Sequence, residues 1–258
     1  MSTRATDRTA TLRRSHLSRV PVLLDGGVRR GMSILRRLVG RLPLRYQQEL
    51  KRLHFARLIR HGSFSSESHD VEYDRLHEWV RRSDWVIDVG ANIGIYTAKL
   101  SEIVKASGRV FALEPMPEMF ELLAANMAQC PLRNITLLNV AASDEVALRG
   151  MTVPKLESGL PGYPLAHLSD DGGEVAVMCL PLDMLCLPER IALIKIDVEG
   201  HELRAIKGMK NLIARDHPVL IVEGLSDDIA SYLRAFGYSF EQAAGSPNRV
   251  FRPVSGPR

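Results

Sequence analysis

The chain has 258 residues, 45% of them hydrophobic and 25% charged, a balance that fits a soluble globular protein and excludes a mainly disordered or collagen-like one. Three cysteines, Cys130, Cys179 and Cys186, without a C-x-x-C pair argue against a disulfide framework or zinc ribbon and favour a reducing, cytoplasmic setting. The net charge of +4 conceals an asymmetry, because residues 1–60 hold fifteen basic side chains against three acidic ones, and the remainder holds 19 against 27. A folded body of net negative charge would repel phosphate, so nucleic acid is not an expected partner.

In chain order, residues 1–30 form an Arg/Thr/Ser-rich segment expected to be a disordered basic tail. Residues 31–78 are expected to form a helical basic arm. Ile34, Leu35, Leu38 and Val39 lie at helical spacing, Pro43 interrupts them, and Leu50, Leu53, Phe55, Leu58 and Ile59 resume the stripe. Three readings of this arm stay open: a helical cap packed on the acidic body, an amphipathic helix drawn to an anionic membrane surface, and a cleaved targeting peptide. The second would place the protein peripherally at the inner membrane surface.

From residue 84 onward strands and helices alternate. Asp84–Val89 (DWVIDV) is a short apolar run suited to a strand buried on both faces of a parallel sheet. A helix over Ile93–Ala106, a strand over Arg109–Leu113, a helix between Pro115 and Pro131 and a strand over Asn134–Val140 follow. Residues 145–190, rich in Gly and Pro, interrupt the rhythm and predict an antiparallel excursion or lid containing the strand Val175–Leu180. The alternation returns with a strand over Ala192–Ile196, a helix over His201–Arg215, a strand over Val219–Val222 and a helix over Asp227–Phe236. It ends in a hairpin of Tyr238–Glu241 with Arg249–Arg252. The pattern predicts an α/β protein with a doubly wound, mostly parallel sheet and an antiparallel end.

The first strand runs into Asp88-Val-Gly-Ala-Asn-Ile-Gly94, in which Gly90, Ala91, Asn92 and Gly94 allow a tight turn before a helix whose N–H groups can face a ligand. Glu114 ends the second strand, where a carboxylate can accept hydrogen bonds from ribose hydroxyls. The G-x-G-x-x-G spacing of a dinucleotide loop is not met, and Asp88 would repel a pyrophosphate. An acidic strand end suits a cofactor with an ammonium and a sulfonium, which selects S-adenosyl-L-methionine over NAD on electrostatic grounds.

DVGANIG (88–94), ALEP (112–115), LPLDML (180–185), LIKIDVEGHE (193–202), VLIVEG (219–224) and LRAFGY (233–238) together resemble the FkbM-type family of S-adenosylmethionine-dependent methyltransferases. The resemblance covers roughly residues 80–252 and implies a methyltransferase domain over 79–258. Its implied fold is the class I, Rossmann-like methyltransferase fold, a seven-stranded sheet whose last strand is antiparallel. It further implies a cofactor site of Asp88, Gly90, Ala91, Asn92, Gly94 and Glu114, with Ser143 and Asp144 beside the adenine. The implied reaction is O-methylation of a hydroxyl, usually on a sugar of a glycolipid, polysaccharide or glycosylated natural product, so the acceptor is a small molecule or a glycan- or lipid-linked hydroxyl.

A hydroxyl is a poor nucleophile until its proton leaves, so a carboxylate or histidine within reach is expected. Asp197 is the first candidate for base or acceptor positioner, Glu199 the second and His201 the third, all at the carboxyl edge of the fourth strand. Glu199 and Glu202 are also expected in a helix's first turn, where acids complement the dipole. Glu223 ends the fifth strand on the same edge and could join Asp197 and Glu199 around a divalent cation, although no Asp/Asn-rich loop favours a metal. Two other classes compete with the transferase: a nucleotide-binding oxidoreductase and a non-catalytic membrane-surface binding module.

Overall fold

The computed structural model describes residues 42–60, 70–156, 161–169 and 172–254; the expected tail over 1–30 and the first part of the expected arm lie outside the described residues. The chain forms two compact units, residues 1–47 and 48–258. Helix α1 (Leu44–Arg60) begins directly after Pro43, whose carbonyl accepts the Tyr46 N–H at 2.9 Å. No helix among the described residues is long and apolar enough to cross a membrane.

Helix α2 (Val71–Trp79) leads into β1 (Trp85–Val89), α3 (Ile95–Val104), β2 (Arg109–Leu113), α4 (Pro117–Met127) and β3 (Ile135–Leu138). After the excursion come β8 (Ile191–Ile196), α5 (Glu202–Lys207), α6 (Lys210–Asp216), β9 (Val219–Glu223), α7 (Asp227–Arg234), β10 (Tyr238–Glu241) and β11 (Asn248–Pro253). Among the described residues these strands build a seven-stranded sheet in the order β10-β11-β9-β8-β1-β2-β3. The pairs β1/β2, β2/β3, β1/β8 and β8/β9 are parallel, and β11 runs antiparallel to both β9 and β10. A doubly wound, mostly parallel sheet with an antiparallel last strand is the architecture that the alternation and the family resemblance lead one to expect.

The apolar strands are buried because both sheet faces are covered. Val86, Leu193, Ile221 and Val250 point into a core with Tyr73 and Leu76 of α2 and Tyr96, Leu100 and Val104 of α3. Their neighbours in the strands, Ile87, Val89, Ile194, Ile196, Leu220 and Val222, point the other way, against Ile206, Ile213, Ile229 and Leu233 of α5, α6 and α7. This is the period-two alternation of a strand, here apolar on both sides. Asp88 and Lys195 share the parity of Val86 and Leu193, so their side chains leave the sheet on the α2/α3 face.

Residues 141–180 contribute a separate four-stranded sheet in the order β4-β7-β5-β6, from β4 (Ala141–Ala142), β5 (Ala147–Thr152), β6 (His167–Ser169) and β7 (Val175–Leu180). Both β5/β6 and β5/β7 are antiparallel, as the Gly/Pro-rich interruption predicts. The segment expected as one strand over 134–140 instead ends at Leu138, and the chain then pairs with the returning β7, with Ser143 N–H donating to the Leu180 carbonyl at 3.0 Å.

The helix expected over 201–215 is also divided, into α5 and α6. Gly208 lies between them because a Cβ there would sit 1.8 Å from the Ser143 carbonyl oxygen, so the chain must pass that loop without a side chain. We expect Gly208→Ala to force the two segments apart at a cost of about 1–3 kcal/mol, lowering the midpoint of thermal unfolding by roughly 2–4 °C per kcal/mol. A melting curve monitored by circular dichroism measures this, and an unchanged midpoint would contradict the close approach.

Candidate functional site

The site forms where the loops after β1 and β8 meet. Gly90, at φ +78°, is the contact point, because a Cβ there would lie 1.8 Å from the Asp197 carbonyl oxygen. Only a residue without a side chain allows the DVGANIG loop to lie flat against the end of β8. Gly90 and Ala91 both donate N–H to the Leu113 carbonyl at 2.9 Å, and Asp197 N–H donates to Val89 at 3.0 Å, so the ends of β1, β2 and β8 are locked in one register.

Beyond this contact, Asn92 takes a left-handed φ of 51° and gives its N–H to Glu114 Oε2 at 2.9 Å. The other oxygen of Glu114 accepts the Met116 N–H, also at 2.9 Å. Burial pushes the Glu114 carboxyl up to about 7 despite these two donors. Each oxygen keeps a lone pair for a further donor. Gly94 precedes α3 in a left-handed conformation with no side-chain cap on the helix, which leaves first-turn N–H groups for a ligand.

Asp88 lies deeper than a loop residue would. It is fully buried, with Thr97 Oγ1 donating to Oδ2 at 2.6 Å, and burial raises its pKa. Its Oδ1 is buried with no hydrogen-bond partner among the described residues. Such an orphaned acceptor fits an ammonium group, the uncapped start of α3 fits a carboxylate, and Glu114 fits a ribose diol. Those are three of the polar groups of S-adenosylmethionine, so the residues present fit the cofactor that the sequence suggests.

Ser143 and Asp144 follow β4 and are brought together with His201. The Ser143 hydroxyl is fully buried, 3.0 Å from His201 Nε2 and 3.3 Å from Asp144 Oδ1. Asp144 accepts from Arg204 Nε at 2.7 Å; the arginine outweighs the burial that works against the carboxylate and holds its pKa below the usual range. Arg204 also reaches Glu145 at 2.8 Å, and Arg149 pairs with the same carboxylate. His201, expected as a third candidate base, therefore joins the loop after β4.

The other two catalytic candidates converge with Glu223. One carboxylate oxygen from each of Asp197, Glu199 and Glu223 lies within 4.8 Å of the others. Lys195, 4% exposed inside β8, sends its Nζ to Asp197 Oδ2 at 2.8 Å and over the Tyr96 ring, 4.8 Å from its centroid. Burial opposes the charge on Lys195, but Asp197 and Asp88 outweigh it and the pKa rises above the ordinary range. Glu199 sits in the turn before α5 at φ 51°, outside the helical first turn where the sequence places it. It is exposed and makes no hydrogen bond or ion pair among the described residues; burial of its surroundings and the neighbouring Asp197 push it up to about 7.

Tyr96 and Asp70 had no signal in the sequence. Tyr96 roofs Lys195 from the first turn of α3, and its hydroxyl donates to Asp70 Oδ2 at 3.0 Å. A lysine in an otherwise apolar strand does signal that partners must exist, but not which ones.

The Methyltransferase FkbM domain family matches residues 88–240. The chain is 28% identical over 149 residues to the hexuronic acid methyltransferase AglP of Haloferax volcanii, covering 57% of this chain and 58% of that protein. It is 28% identical over 198 residues to the 31-O-demethyl-FK506 methyltransferase FkbM of Streptomyces tacrolimicus, covering 62% of this chain and 74% of that one. The crystal structure of methyltransferase FkbM from Methylobacillus flagellatus KT aligns with a TM-score of 0.49 and 19% identity, over 86% of this chain and 59% of its own. The matched span takes in the loop after β1, Glu114, the loop after β4 and the carboxylates at the ends of β8 and β9, and on that footing this chain belongs to the FkbM methyltransferase domain family.

Proposed function

We propose that the protein is an S-adenosylmethionine-dependent O-methyltransferase acting on a hydroxyl of a sugar or of a sugar-bearing or polyketide-like acceptor. The observation that carries this reading is the contact at Gly90, which sets a loop fitted to the cofactor directly against a carboxylate cluster at the carboxyl edge of the sheet. Family membership supports the reaction class. Of the two relatives, the 31-O-demethyl-FK506 methyltransferase supports an oxygen acceptor and the hexuronic acid methyltransferase supports a sugar. The glycine spacing leaves the dinucleotide-dependent oxidoreductase without comparable support.

S-adenosylmethionine supplies, when bound, a methyl group on a cationic sulfur. Asp88 Oδ1 would accept from its ammonium and Glu114 from its ribose hydroxyls, with Gly90, Ala91, Asn92 and Gly94 forming the floor and Ser143 and Asp144 the adenine side. Of the candidate bases, Glu199 best suits the proton of the acceptor hydroxyl. It is exposed, unpaired and near neutrality, whereas Asp197 is already engaged by Lys195. His201 braces the adenine side through Ser143.

The basic N-terminal segment gives this reading a location. On α1, Leu50 and Leu53 are 45% and 57% exposed, beside exposed Arg52 and Arg57. Apolar side chains flanked by arginines suit the surface of an anionic bilayer, and we propose such a surface as a partner.

Three outcomes are expected. Calorimetric titration with S-adenosylhomocysteine should show binding that strengthens as the pH rises through about 7, because the Glu114 carboxyl must ionise to accept from the ribose. Glu114→Gln should remove this dependence and weaken binding about tenfold or more, the value of charge-assisted hydrogen bonds to the diol. Absence of binding to folded protein would leave the methyltransferase reading unsupported. With uronic acid glycosides and macrolides as trial acceptors, methyl transfer should rise with pH through about 7, since Glu199 acts as a base only when ionised. Glu199→Gln should lower kcat/KM by about 10²-fold or more. Finally, the protein should float with vesicles containing phosphatidylserine and not with phosphatidylcholine alone, and high salt should release it.

A further inference from the structure

An acidic residue in the first turn of a helix complements the helix dipole, and ordinarily does so from the surface. Glu72, in the first turn of α2, is instead completely buried. Ser246 Oγ and Asn248 Nδ2 both donate to its Oε2, at 2.8 and 3.1 Å, from the turn that joins β10 to β11. Ser246 Oγ also accepts the Asn248 N–H at 3.0 Å, and Gln242 Nε2 donates to the Ser246 carbonyl at 2.9 Å. Ser246 and Asn248 are buried as well, and Glu72 Oε1 is buried with no hydrogen-bond partner among the described residues. A carboxyl group enclosed on those terms is costly, which points to a role in placing the segment it holds.

That segment borders the site. Pro247 accepts the Gly224 N–H at 3.0 Å and Asn248 is the register partner of Glu223, so the turn and the end of β9 move as one piece. Two residues before Glu72, Asp70 accepts from the Tyr96 hydroxyl and so holds that ring over Lys195. The start of α2 thus reaches both the α3 side and the β9 side of the carboxylate cluster. Glu72, Ser246 and Asn248 all lie outside the span 88–240 that matches the family.

We infer that Glu72 is a positioning residue: through Ser246 and Asn248 it fixes the turn tied to the end of β9, and with it the placement of Glu223 beside Asp197 and Glu199. The inference deepens the proposed methyl transfer and takes its catalytic meaning from that reading. Positioning of the acceptor against the methyl group is where a displaced strand end would be felt, because small misplacements of reacting groups are costly in rate.

Amide hydrogen exchange of the full chain, followed residue by residue in ¹H–¹⁵N spectra, tests the coupling with neither cofactor nor acceptor present, so its outcome is separable from that of the methyl-transfer assays. Glu72→Ala should speed exchange at Gly224 about tenfold or more relative to Gly90 and Ala91, whose N–H groups are held by the Leu113 carbonyl at the loop after β1. Ser246→Ala, which removes one hydroxyl, should do the same and carries the test if Glu72→Ala folds poorly. Glu72→Gln should restore slow exchange at Gly224, because its amide oxygen can accept both hydrogen bonds. In methyl transfer to uronic acid glycosides, Glu72→Ala and Ser246→Ala should lower kcat about tenfold or more with unchanged affinity for S-adenosylhomocysteine, and Glu72→Gln should recover most of the rate. A merely structural carboxyl group would raise exchange at all three amides together. That result, or slow exchange at Gly224 in both variants, would overturn the inference, as would an unchanged kcat in a variant whose Gly224 amide has opened.

Discussion

A lysine ammonium enclosed in the central strands of a parallel sheet persists only if carboxylates meet it there, because removing a charge from water is costly unless it is paired and hydrogen-bonded. Lys195 imposes that requirement on its surroundings. It takes Asp197 as its hydrogen-bonded partner and Asp88, its register partner on β1, as a second source of negative potential. Asp197 in turn lies beside Glu223 and Glu199, one carboxylate oxygen of each within 4.8 Å of the others. The cation thus draws together the ends of three adjacent strands, and the residues it organises are those at which cofactor loop and acidic turn come into contact. Tyr96 closes the α3 side, where its ring face stabilises the ammonium and its hydroxyl ties the start of α3 to the start of α2.

The two ends of the site are held in different ways. At the loop after β1 most of the work falls to backbone geometry: left-handed residues at 90, 92 and 94, N–H groups shared with Leu113 and Glu114, and one buried Asp88 oxygen without a donor among the described residues. At the ends of β8 and β9 it falls to side-chain charge, in a cluster where Asp197 steadies Lys195 and pushes Glu199 up. The first answers to pH through its two buried carboxyls, Asp88 and Glu114, both of which burial pushes up. The second is sensitive to any substitution that alters the sum of charges around Asp197.

Much of this was legible in the residues. The apolar runs 84–89, 109–113, 192–196 and 219–222 are strands because each is too short for a helix and apolar on both faces. The tight loop after β1 and the acidic residue at the end of β2 stand out through glycine spacing and Glu114. What could not be read depends on contacts between distant segments. Gly208 divides a helix because it passes Ser143, a residue 65 positions earlier whose proximity no local pattern records. The strand over 134–140 stops at Leu138 because the chain is captured by β7. Glu199 looks like a first-turn helical acid until Gly200 and Glu199 itself adopt positive φ and turn it out of the helix. The depth of Asp88 depends on Thr97, and the roof over Lys195 on Asp70, a residue ahead of the first strand of the sheet.

The second sheet joins the cofactor side by a narrow hinge. Ala141 and Ala142 pair with Cys179 and Leu180, Ser143 hangs from the Leu180 carbonyl, and just beyond, Asp183 accepts the N–H groups of Asn211 and Leu212 at the start of α6. Between these anchors the chain runs out through β5 and β6 and returns, so its two ends are fixed at neighbouring points whatever lies between. Insertions and deletions within that stretch can be absorbed without moving the ends of β1, β8 or β9. A fold built this way can exchange one surface module for another while the ends of β1, β8 and β9 stay in register.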